Sequence, residues 1–543
     1  MHAARFAVRP IALAALAACL LPVARAQSEG ASQVIEVTAQ RRVERLQDVP
    51  LAATAIGARD LELRGIENIE DLSSVAPNLK VSLTPGNATA AQISIRGSVT
   101  TNPALFWEPT VGMYVDGVYI GKMQGSVFDL VDLERVEVLR GPQGTLYGRN
   151  TLAGAVNLIT RKPGGEWMGS ATLELGNYNA RLGKASLDLP AFGPLKLGVG
   201  VRAEKRDGWV KTNPGSSVGS LNDRDNRGAR LAATLALGPD ASLDYRFDAS
   251  KADQNSRFSQ VIRSTVDQDF GFPSGIVVSQ GRQKRASVDG PSFERLDLSG
   301  HSLTGEWRVN KQHTLKAILA RRTMDWDDAL DLDGSPVAFA HTQRLSDYEQ
   351  KTAELQWLGS IGSTNWVAGV YRLEDDGFTN NPQTFFFGAA VFDSHYGFTT
   401  KADAIYGQVD TKLGERLTLT AGLRRSSEDK TISRFLAAGP ATLIPSGTGA
   451  KAGFSATTPT LSLAWKASDR LNLYARYAEG FKSGGFNGEA QDVAETTTPY
   501  KPEKQKSFEL GAKTQIGALG SVNVALFDNR STDLQRSVFT AQG

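Results

Sequence analysis

The sequence predicts a transmembrane, antiparallel β-barrel that follows a smaller α+β domain. Beyond Pro163 apolar and polar side chains alternate along many segments, which places one set on each face of a sheet. Short and long polar connections alternate in this region, as they do on the two rims of an outer-membrane barrel. Before Pro163 a helical period is mixed with brief strands instead. The two regions therefore have different architectures.

The composition excludes several classes of function. The chain has 543 residues, well beyond the roughly 100–200 residues of one ordinary domain. A net charge of +2 gives no electrostatic attraction to nucleic acid, so no nucleic-acid partner is expected. The single cysteine cannot form an internal disulfide, and five scattered histidines cannot complete a His/Cys metal cage with it. We therefore predict no metal site and no cofactor.

The N-terminus carries the pattern of an export signal. Two arginines precede an apolar run at residues 11–23, and residues 24–26, Ala-Arg-Ala, provide a small-residue cleavage site. The apolar run is shorter than the about 20 residues that a membrane-spanning helix needs. Residues 16–19, Leu-Ala-Ala-Cys, offer a lipoprotein cleavage site as an alternative. We expect residues 1–26 to be a signal peptide.

The segment before Pro163 is interpreted as a compact α+β domain. Apolar residues recur at a helical period over residues 59–72 and predict one short helix there. Residues rich in β-branched side chains predict brief strands at 92–96, 111–120 and 136–139. A mixed unit of this length is a normal domain size.

A glycine-rich stretch at residues 140–150 invites a comparison with phosphate-binding loops. A P-loop requires Gly, four residues, then Gly-Lys-Ser/Thr at the start of a helix. Gly144 and Gly148 do not have this spacing, no Lys-Ser pair follows them, and a strand comes next. The stretch therefore needs another explanation than nucleotide binding.

Two architectures compete for the region after Pro163. A sandwich has strands of about 5–6 residues, whereas a membrane barrel has strands of about 9–11 residues and unequal rims. Short turns are predicted at residues 189–196, 237–242, 309–313, 360–365, 412–417, 466–471 and 516–521. Long polar loops are predicted at 208–225, 252–294, 326–344 and 435–454. This alternation favours the barrel, with about fifteen strands over residues 168–543.

Several ordered motifs resemble those of TonB-dependent outer-membrane receptors, whose plug domain sits inside the barrel. They are LRGPQGTLYG at 139–148, GAVNLITRKP at 154–163, Ile95-Arg96-Gly97, and YVDGVY at 114–119. The resemblance covers nearly all of the chain after the signal peptide, and it implies a barrel of the 22-stranded type. Because bacterial barrels have even strand numbers, about fifteen strands suggest a C-terminally truncated chain, a fragment of a receptor.

The resemblance implies four segments and one periplasmic partner. The segments are a signal peptide at 1–26, a periplasmic leader at 27–45, a plug domain at 46–163 and an incomplete barrel at 164–543. The leader contains a candidate TonB box, formed by Gln33, Val34, Ile35, Glu36, Val37, Thr38 and Ala39. Such a segment pairs as an added strand with TonB, which the ExbB/ExbD complex energises. The alternative is a β-prone leader without this role.

The resemblance also implies ion pairs between plug and barrel. In the family the arginines of the IRG and LRGP motifs pair with glutamates of the barrel wall, and here these arginines are Arg96 and Arg140. The segment PEKQKSFELGAK resembles a barrel strand that carries one partner, at Glu509, and the second glutamate is expected beyond Gly543. The alternative is that these charges are solvated in the lumen.

Three aromatic residues of the plug, Phe106, Trp107 and Tyr114, are candidates to face a ligand, or alternatively to pack the plug core. Residues 325–334, DWDDALDLDG, do not have the EF-hand spacing, so an acidic extracellular loop is the better interpretation. No Ser/His/Asp order and no paired carboxylates stand out, and the chain is predicted not to be an enzyme.

These observations predict an active-transport receptor in the outer membrane of a Gram-negative cell. The expected partners are TonB, outer-membrane lipid and a small-molecule ligand, and a monomer is expected. The first candidate ligand is a ferric-siderophore-type chelate, because the family most often imports these. Cobalamin, carbohydrate or aromatic ligands remain open, and a passive porin or a secreted adhesin is the rival class.

Overall fold

The computed structural model describes residues 36–125, 132–263, 278–516 and 520–537. The predicted signal peptide lies outside these residues. Among them, no helix is both long and apolar enough to cross a membrane.

The helices and strands fall into two groups. The N-terminal group comprises β1 (Glu36–Val37), β2 (Glu44–Arg45), β3 (Ala53–Gly57), an α-helix (Ala58–Leu63), a 3-10 helix (Ile69–Ser74), β4 (Leu79–Leu83), β5 (Ala91–Ile95), β6 (Val111–Val115), β7 (Val118–Ile120), β8 (Leu133–Arg140) and β9 (Gly154–Thr160). The second group comprises β10 (Met168–Gly176), β11 (Ala180–Asp188), β12 (Leu195–Arg206), β13 (Val210–Thr212), β14 (Ser220–Leu221), β15 (Arg224–Ala236), β16 (Ala241–Asn255), β17 (Arg285–Ala286), β18 (Phe293–Arg308), β19 (His313–Asp331), β20 (Ala340–Ile361), β21 (Thr364–Asn380), β22 (Gln383–Phe385), β23 (Ala390–Leu413), β24 (Leu417–Ala438), β25 (Ala441–Ser468), β26 (Leu471–Lys482), a helix (Val493–Thr497), β27 (Glu503–Gln515) and β28 (Ser521–Thr532).

The N-terminal domain is built on a five-stranded sheet in the order β3-β8-β9-β6-β7. Strands β6 and β9 are parallel, and the other pairs are antiparallel. Completely buried aliphatic side chains, among them Ile69, Val136 and Leu158, form its core. This domain therefore has an apolar core of its own, separate from the barrel.

The helix predicted over residues 59–72 is interrupted. Gly65 adopts a φ of +62°, a left-handed conformation that follows the first helix. The Asn68 side chain accepts hydrogen bonds from the N–H groups of Glu70 and Asp71 and starts the 3-10 helix. Two short helices thus replace the single predicted one, because Gly65 ends the first helix and Asn68 starts the second. Both helices bury apolar residues, which is why the apolar period continues across the break.

The second region is one large antiparallel sheet that confirms the predicted barrel. Within the part of the chain that the structure describes, fifteen strands follow one another in chain order from β10 to β28, and β22 adds a sixteenth beside β20 and β23. The fifteen strands agree with the predicted number. In the described residues β10 and β28 each pair with one neighbour only.

Side chains alternate between the two faces of this sheet as predicted. In β24 the outward positions Leu419 and Leu423 are partly or largely exposed, while the inward positions Thr420 and Arg424 are buried. The short turns form one rim, which is the periplasmic rim in barrels of this kind. Each upward strand therefore begins at a short turn, and its far end is extracellular.

Two predicted loops are wrong. Residues 326–344 are mostly the ends of β19 and β20, and residues 435–454 belong to β24 and β25, which meet at Gly439 and Pro440. These strands have 19, 22, 22 and 28 residues, more than the about 9–11 that cross a bilayer. The parts of these strands beyond the bilayer expose their outer face to water. Their composition is therefore polar, like that of loops. Residues 325–331 are likewise strand rather than an acidic loop.

Candidate functional site

Glu509 on β27 joins the N-terminal domain to the barrel wall. It forms an ion pair with Arg96, and both side chains are only 2% exposed. Its Oε1 also accepts hydrogen bonds from the Ala52 backbone N–H at 2.9 Å and from the Tyr474 hydroxyl at 2.7 Å. The structure thus brings together two of the three residues predicted to form ion pairs.

Arg140, the third residue, forms no ion pair within the described part of the chain. Its Nη1 donates to the Pro77 carbonyl at 3.4 Å and its Nη2 donates to Thr54 Oγ1 at 3.3 Å. Burial, together with the nearby charge of Arg96, lowers the pKa of this guanidinium. Its pairing with a second glutamate therefore stays a prediction.

A second ionic cluster lies in the extracellular half of the interface. Glu108 Oε1 accepts hydrogen bonds from Arg149 Nη2 at 2.7 Å and from Lys430 Nζ at 2.6 Å. Its Oε2 accepts one from Asn150 Nδ2 at 2.7 Å, and Arg149 also pairs with Glu428 Oε2 at 3.0 Å. Burial alone would raise the pKa of Glu108, but the surrounding cations hold it well below its usual range. Glu108 is therefore an ionised bridge between plug and wall.

The sequence analysis did not find this second cluster. Its members come from three separate segments, and nothing in the linear pattern shows that they meet. One signal was available, because Glu428 and Lys430 are charged residues at inward positions of an alternating strand. A charge on the lumen side of a barrel strand needs a partner, water or a ligand.

The predicted TonB box is folded against the plug where the structure describes it. Strand β1 pairs with β2, and the side chains of Val37 and Ala39 are fully buried. The backbone N–H and the hydroxyl of Thr38 donate to Glu137 Oε1 at 2.8 Å and 3.1 Å. Residues 33–35 of the prediction lie outside the described residues. A strand held in this way must be released before it can pair with a partner sheet.

The residues after the box contact both the plug and the barrel wall. Arg41 Nη2 lies 3.9 Å from Glu354 Oε1, and its guanidinium carbon lies 4.5 Å from the ring centre of Tyr147. Arg42 Nη1 forms an ion pair with Asp410 Oδ2 at 2.9 Å. The leader is therefore anchored on β20 and β23 as well as on the plug.

Phe106 and Trp107 form an aromatic cluster in the extracellular half of the structure. The Trp107 ring stacks on Tyr500 at 5.4 Å, and the Phe106 ring meets Tyr396 edge-on at 5.3 Å. The Lys482 Nζ lies 5.3 Å from the Trp107 ring centre. Trp107 Nε1 and the Tyr500 hydroxyl are buried and have no hydrogen-bond partner within the part of the chain that the structure describes. Buried polar groups of this kind take water or a ligand as their partner.

Tyr114 is separated from this cluster. It is 3% exposed, and its hydroxyl donates to the Tyr147 carbonyl at 2.8 Å. The guanidinium carbon of Arg41 lies 5.7 Å from its ring centre. The structure thus places Tyr114 beside the leader, in the plug interior, away from Phe106 and Trp107.

A group of potential metal ligands is formed by the extracellular ends of β19 and β20 and the loop before β18. Donor atoms of Asp289, Asp331 and His341 all lie within 4.8 Å of one another. His341 Nε2 lies 3.1 Å from Asp289 Oδ1, and the Asp289 backbone N–H donates to Asp331 Oδ2 at 3.2 Å. The sequence analysis predicted no metal site and did not identify this group. Hydrogen bonds connect its members to one another.

Comparisons with known proteins agree with this architecture. Residues 177–543 match the family model described as TonB dependent receptor-like, beta-barrel, and residues 45–155 match the TonB-dependent receptor plug domain. The pesticin receptor of Yersinia enterocolitica is 26% identical over 537 residues, which are 97% of this chain and 74% of that protein. The vitamin B12 transporter BtuB of Vibrio vulnificus is 24% identical over 533 residues, which are 95% of this chain and 73% of that protein.

A solved structure shows the same fold. The ferric yersiniabactin uptake receptor FyuA from Yersinia pestis superposes with a TM-score of 0.77 at 21% identity, covering 90% of this chain and 73% of that one. The plug, the barrel and these matches together lead to one assignment. The chain belongs to the family of TonB-dependent receptors of the outer membrane, whose members work with TonB and bind small ligands.

Proposed function

We propose that the chain is an active-transport receptor that imports a ferric-siderophore-type complex. The observation that carries this proposal is the cluster of Trp107, Tyr500 and Lys482, where two buried donors have no protein acceptor among the described residues and lie beside an ammonium group. An acceptor-rich anion, such as the oxygen-bearing shell of a ferric chelate, supplies what these groups lack. The name of the similar Yersinia pestis structure, a ferric yersiniabactin uptake receptor, supports the same ligand class.

The contacts suggest how ligand binding on the extracellular side is transmitted to the periplasmic side of the plug. Glu108 is the residue next to Trp107 and holds both Arg149 of the plug and Lys430 of the wall. A ligand that moves Trp107 therefore disturbs an ionic bridge between the two domains. TonB would then bind the box at residues 33–39, and ExbB/ExbD would supply the energy. A single copy of the chain is sufficient for this transport. No covalent chemistry is required.

Binding by the aromatic cluster can be tested by removing the Nε1 donor. Trp107→Phe replaces the indole by a smaller aromatic ring without this donor, so we expect roughly ten- to a hundredfold weaker binding of a ferric catecholate complex, the usual loss for a bond to a charged group. Trp465→Phe, on the outer face of β25, is the matched control. Equal affinity of both variants would contradict the assigned site.

The ligand class itself is tested by growth. A strain without the gene should grow poorly under iron limitation and recover when the gene returns. A defect on a single carbon source only, or in cobalamin-dependent growth only, would replace the iron proposal with the corresponding nutrient, and the BtuB relative makes cobalamin the first alternative. Deletion of residues 33–39 should abolish uptake, whereas unchanged uptake would indicate a passive porin.

A further inference from the structure

A groove of about 620 Å³ lies on the outer face of the barrel, where it crosses the neighbouring strands β19, β20, β21, β23 and β24. Its floor is apolar and includes the outward side chains of Leu319, Leu355, Val370 and Ile405, all of which are exposed. The outer face of a membrane barrel meets lipid rather than the lumen. The molecule that fills this groove therefore comes from the membrane.

Small residues create the recess. Ala353 lies opposite Leu319 on one neighbouring strand and opposite Arg372 on the other. In the row below it, Ala317 lies opposite Leu355. An alanine beside longer side chains leaves a hollow in the surface, so the groove is a consequence of side-chain size along two rows of paired residues.

Two arginines line the upper part of the groove at one height. Arg425 is eight residues from the periplasmic start of β24, and Arg372 is eight residues from the periplasmic start of β21. At about 3.3 Å per residue and the usual strand tilt, both lie roughly 20 Å above that rim. Trp366 and Trp465 lie near the rim and mark the lower edge of the apolar band, which is about 25 Å tall. The two guanidinium groups are therefore close to the outer-leaflet head groups.

Arg425 supplies a charge that its neighbours do not balance. Its Nη1 donates to Thr457 Oγ1 at 3.0 Å and its Nη2 donates to Ser455 Oγ at 3.0 Å, and both acceptors are neutral. Among the described residues no acidic side chain forms an ion pair with it. A cation on the lipid face of a barrel is unfavourable at this depth, so an anion from the membrane would stabilise it.

Arg372 supplies oriented donors rather than net charge. Its Nη2 donates to Glu374 Oε1 at 2.6 Å and its Nη1 donates to Asp403 Oδ1 at 3.3 Å. These two bonds fix the plane of the guanidinium and leave further N–H groups on the same nitrogens. Arg372 lies opposite Asp403 on one side of β23, and Arg425 lies opposite Ile405 on the other. The two guanidinium groups thus flank β23.

We propose that this groove binds a phosphorylated lipid with several acyl chains from the outer leaflet. Its phosphate lies at Arg372 and Arg425, because the planar guanidinium group matches the geometry of phosphate oxygens. Its acyl chains cover the apolar floor, which spans five strands about 4.8 Å apart, or roughly 19 Å. This width accommodates several chains side by side. The inference depends on the outer-membrane location and on no particular transported nutrient.

Lipid retention measured by native mass spectrometry tests the ligand class. The full chain in detergent micelles is titrated with lipid A, which carries phosphates and several acyl chains, and with lipid A from which the phosphates have been removed. A third titration uses phosphatidylglycerol, which has one phosphate and two chains. We expect the chain to retain lipid A roughly tenfold more tightly than either of the others. Equal retention of the dephosphorylated lipid, or of phosphatidylglycerol, would overturn the proposal.

Two pairs of variants locate the site in the same assay. Arg425→Gln should weaken retention of lipid A roughly tenfold, whereas Arg530→Gln, an exposed arginine of β28 outside the groove, should not. Ala353→Phe fills the recess and should also weaken retention, whereas Ala421→Phe, at an exposed position of β24 outside the groove, should not. The proposal requires both groove variants to bind lipid A more weakly than their controls, and failure of either comparison overturns it.

Discussion

At the scale of single residues, the Arg96–Glu509 pair makes the plug sensitive to one charge. Glu509→Gln keeps the size of the side chain but leaves Arg96 buried without a counter-charge, which costs about 3–5 kcal/mol for a pair of this type. We therefore expect faster amide hydrogen exchange near Ala52 and in β5. Glu415→Gln, in an exposed periplasmic turn, is the control. Identical exchange in both variants would show that the pair does not hold the plug.

Thr38 is the second residue at which one atom matters. Thr38→Val keeps the side-chain volume but removes the hydroxyl that donates a hydrogen bond to Glu137. Loss of about 1 kcal/mol should open the box roughly fivefold more often and raise the affinity of ligand-free receptor for the periplasmic domain of TonB. Thr38→Ser retains the hydroxyl and should bind like the parent chain. The idea fails if the valine and serine variants bind TonB equally well.

At the scale of elements, the glycine-rich loop depends on close approach rather than on flexibility. Gly144→Ala places a methyl group within 2.5 Å of the Glu479 carbonyl oxygen, so the loop must move away from β26. Overpacking of this kind typically costs about 1–3 kcal/mol, and amide exchange over residues 141–152 should accelerate. Gly219→Ala meets no atom within 4 Å and should leave the exchange unchanged. Unaltered exchange in the Gly144 variant would mean that the loop tolerates displacement.

The elements that were predicted correctly are those whose signal is local. Alternation in β16 or β24 requires only neighbouring residues, so the strands and the periplasmic turns could be read from the sequence. The extracellular ends of β19 and β25 could not, because the outward positions there are acidic in β19 and mostly polar or small in β25, so the outward apolar stripe of a membrane strand ends before them. The prediction of one helix over residues 59–72 was wrong for the opposite reason, since the apolar period continues across the break at Gly65.

At the scale of the whole molecule, the site depends on contacts that no local pattern encodes. Arg96 and Glu509 are 413 positions apart, and only resemblance to a family related them. Glu108 and Lys430 are 322 positions apart and belong to no motif that we identified, so their contact was missed. The curvature of the sheet around the plug brings both pairs together.

The plug meets the barrel through ion pairs and through two apolar clusters, and it also has an apolar core of its own. An isolated plug comprising residues 46–163 should therefore keep its five-stranded sheet in solution. Its loops at 100–110 and 141–150, which depend on the wall for their contacts, should become mobile. Nuclear magnetic resonance relaxation of the isolated domain would measure this difference between sheet and loops. A collapsed or unfolded domain would show that the barrel supplies the missing stability.

The long strands have a consequence for where a ligand first meets the protein. At about 3.3 Å per residue, the 28 residues of β25 extend roughly 90 Å, or about 70 Å along the barrel axis at the usual tilt. The hydrocarbon layer takes up only about 30 Å of this height. At β25 the barrel wall therefore extends above the lipid head groups, and its extracellular opening lies beyond them. A dilute solute arriving from outside the cell therefore meets the barrel wall before it meets the lipid head groups.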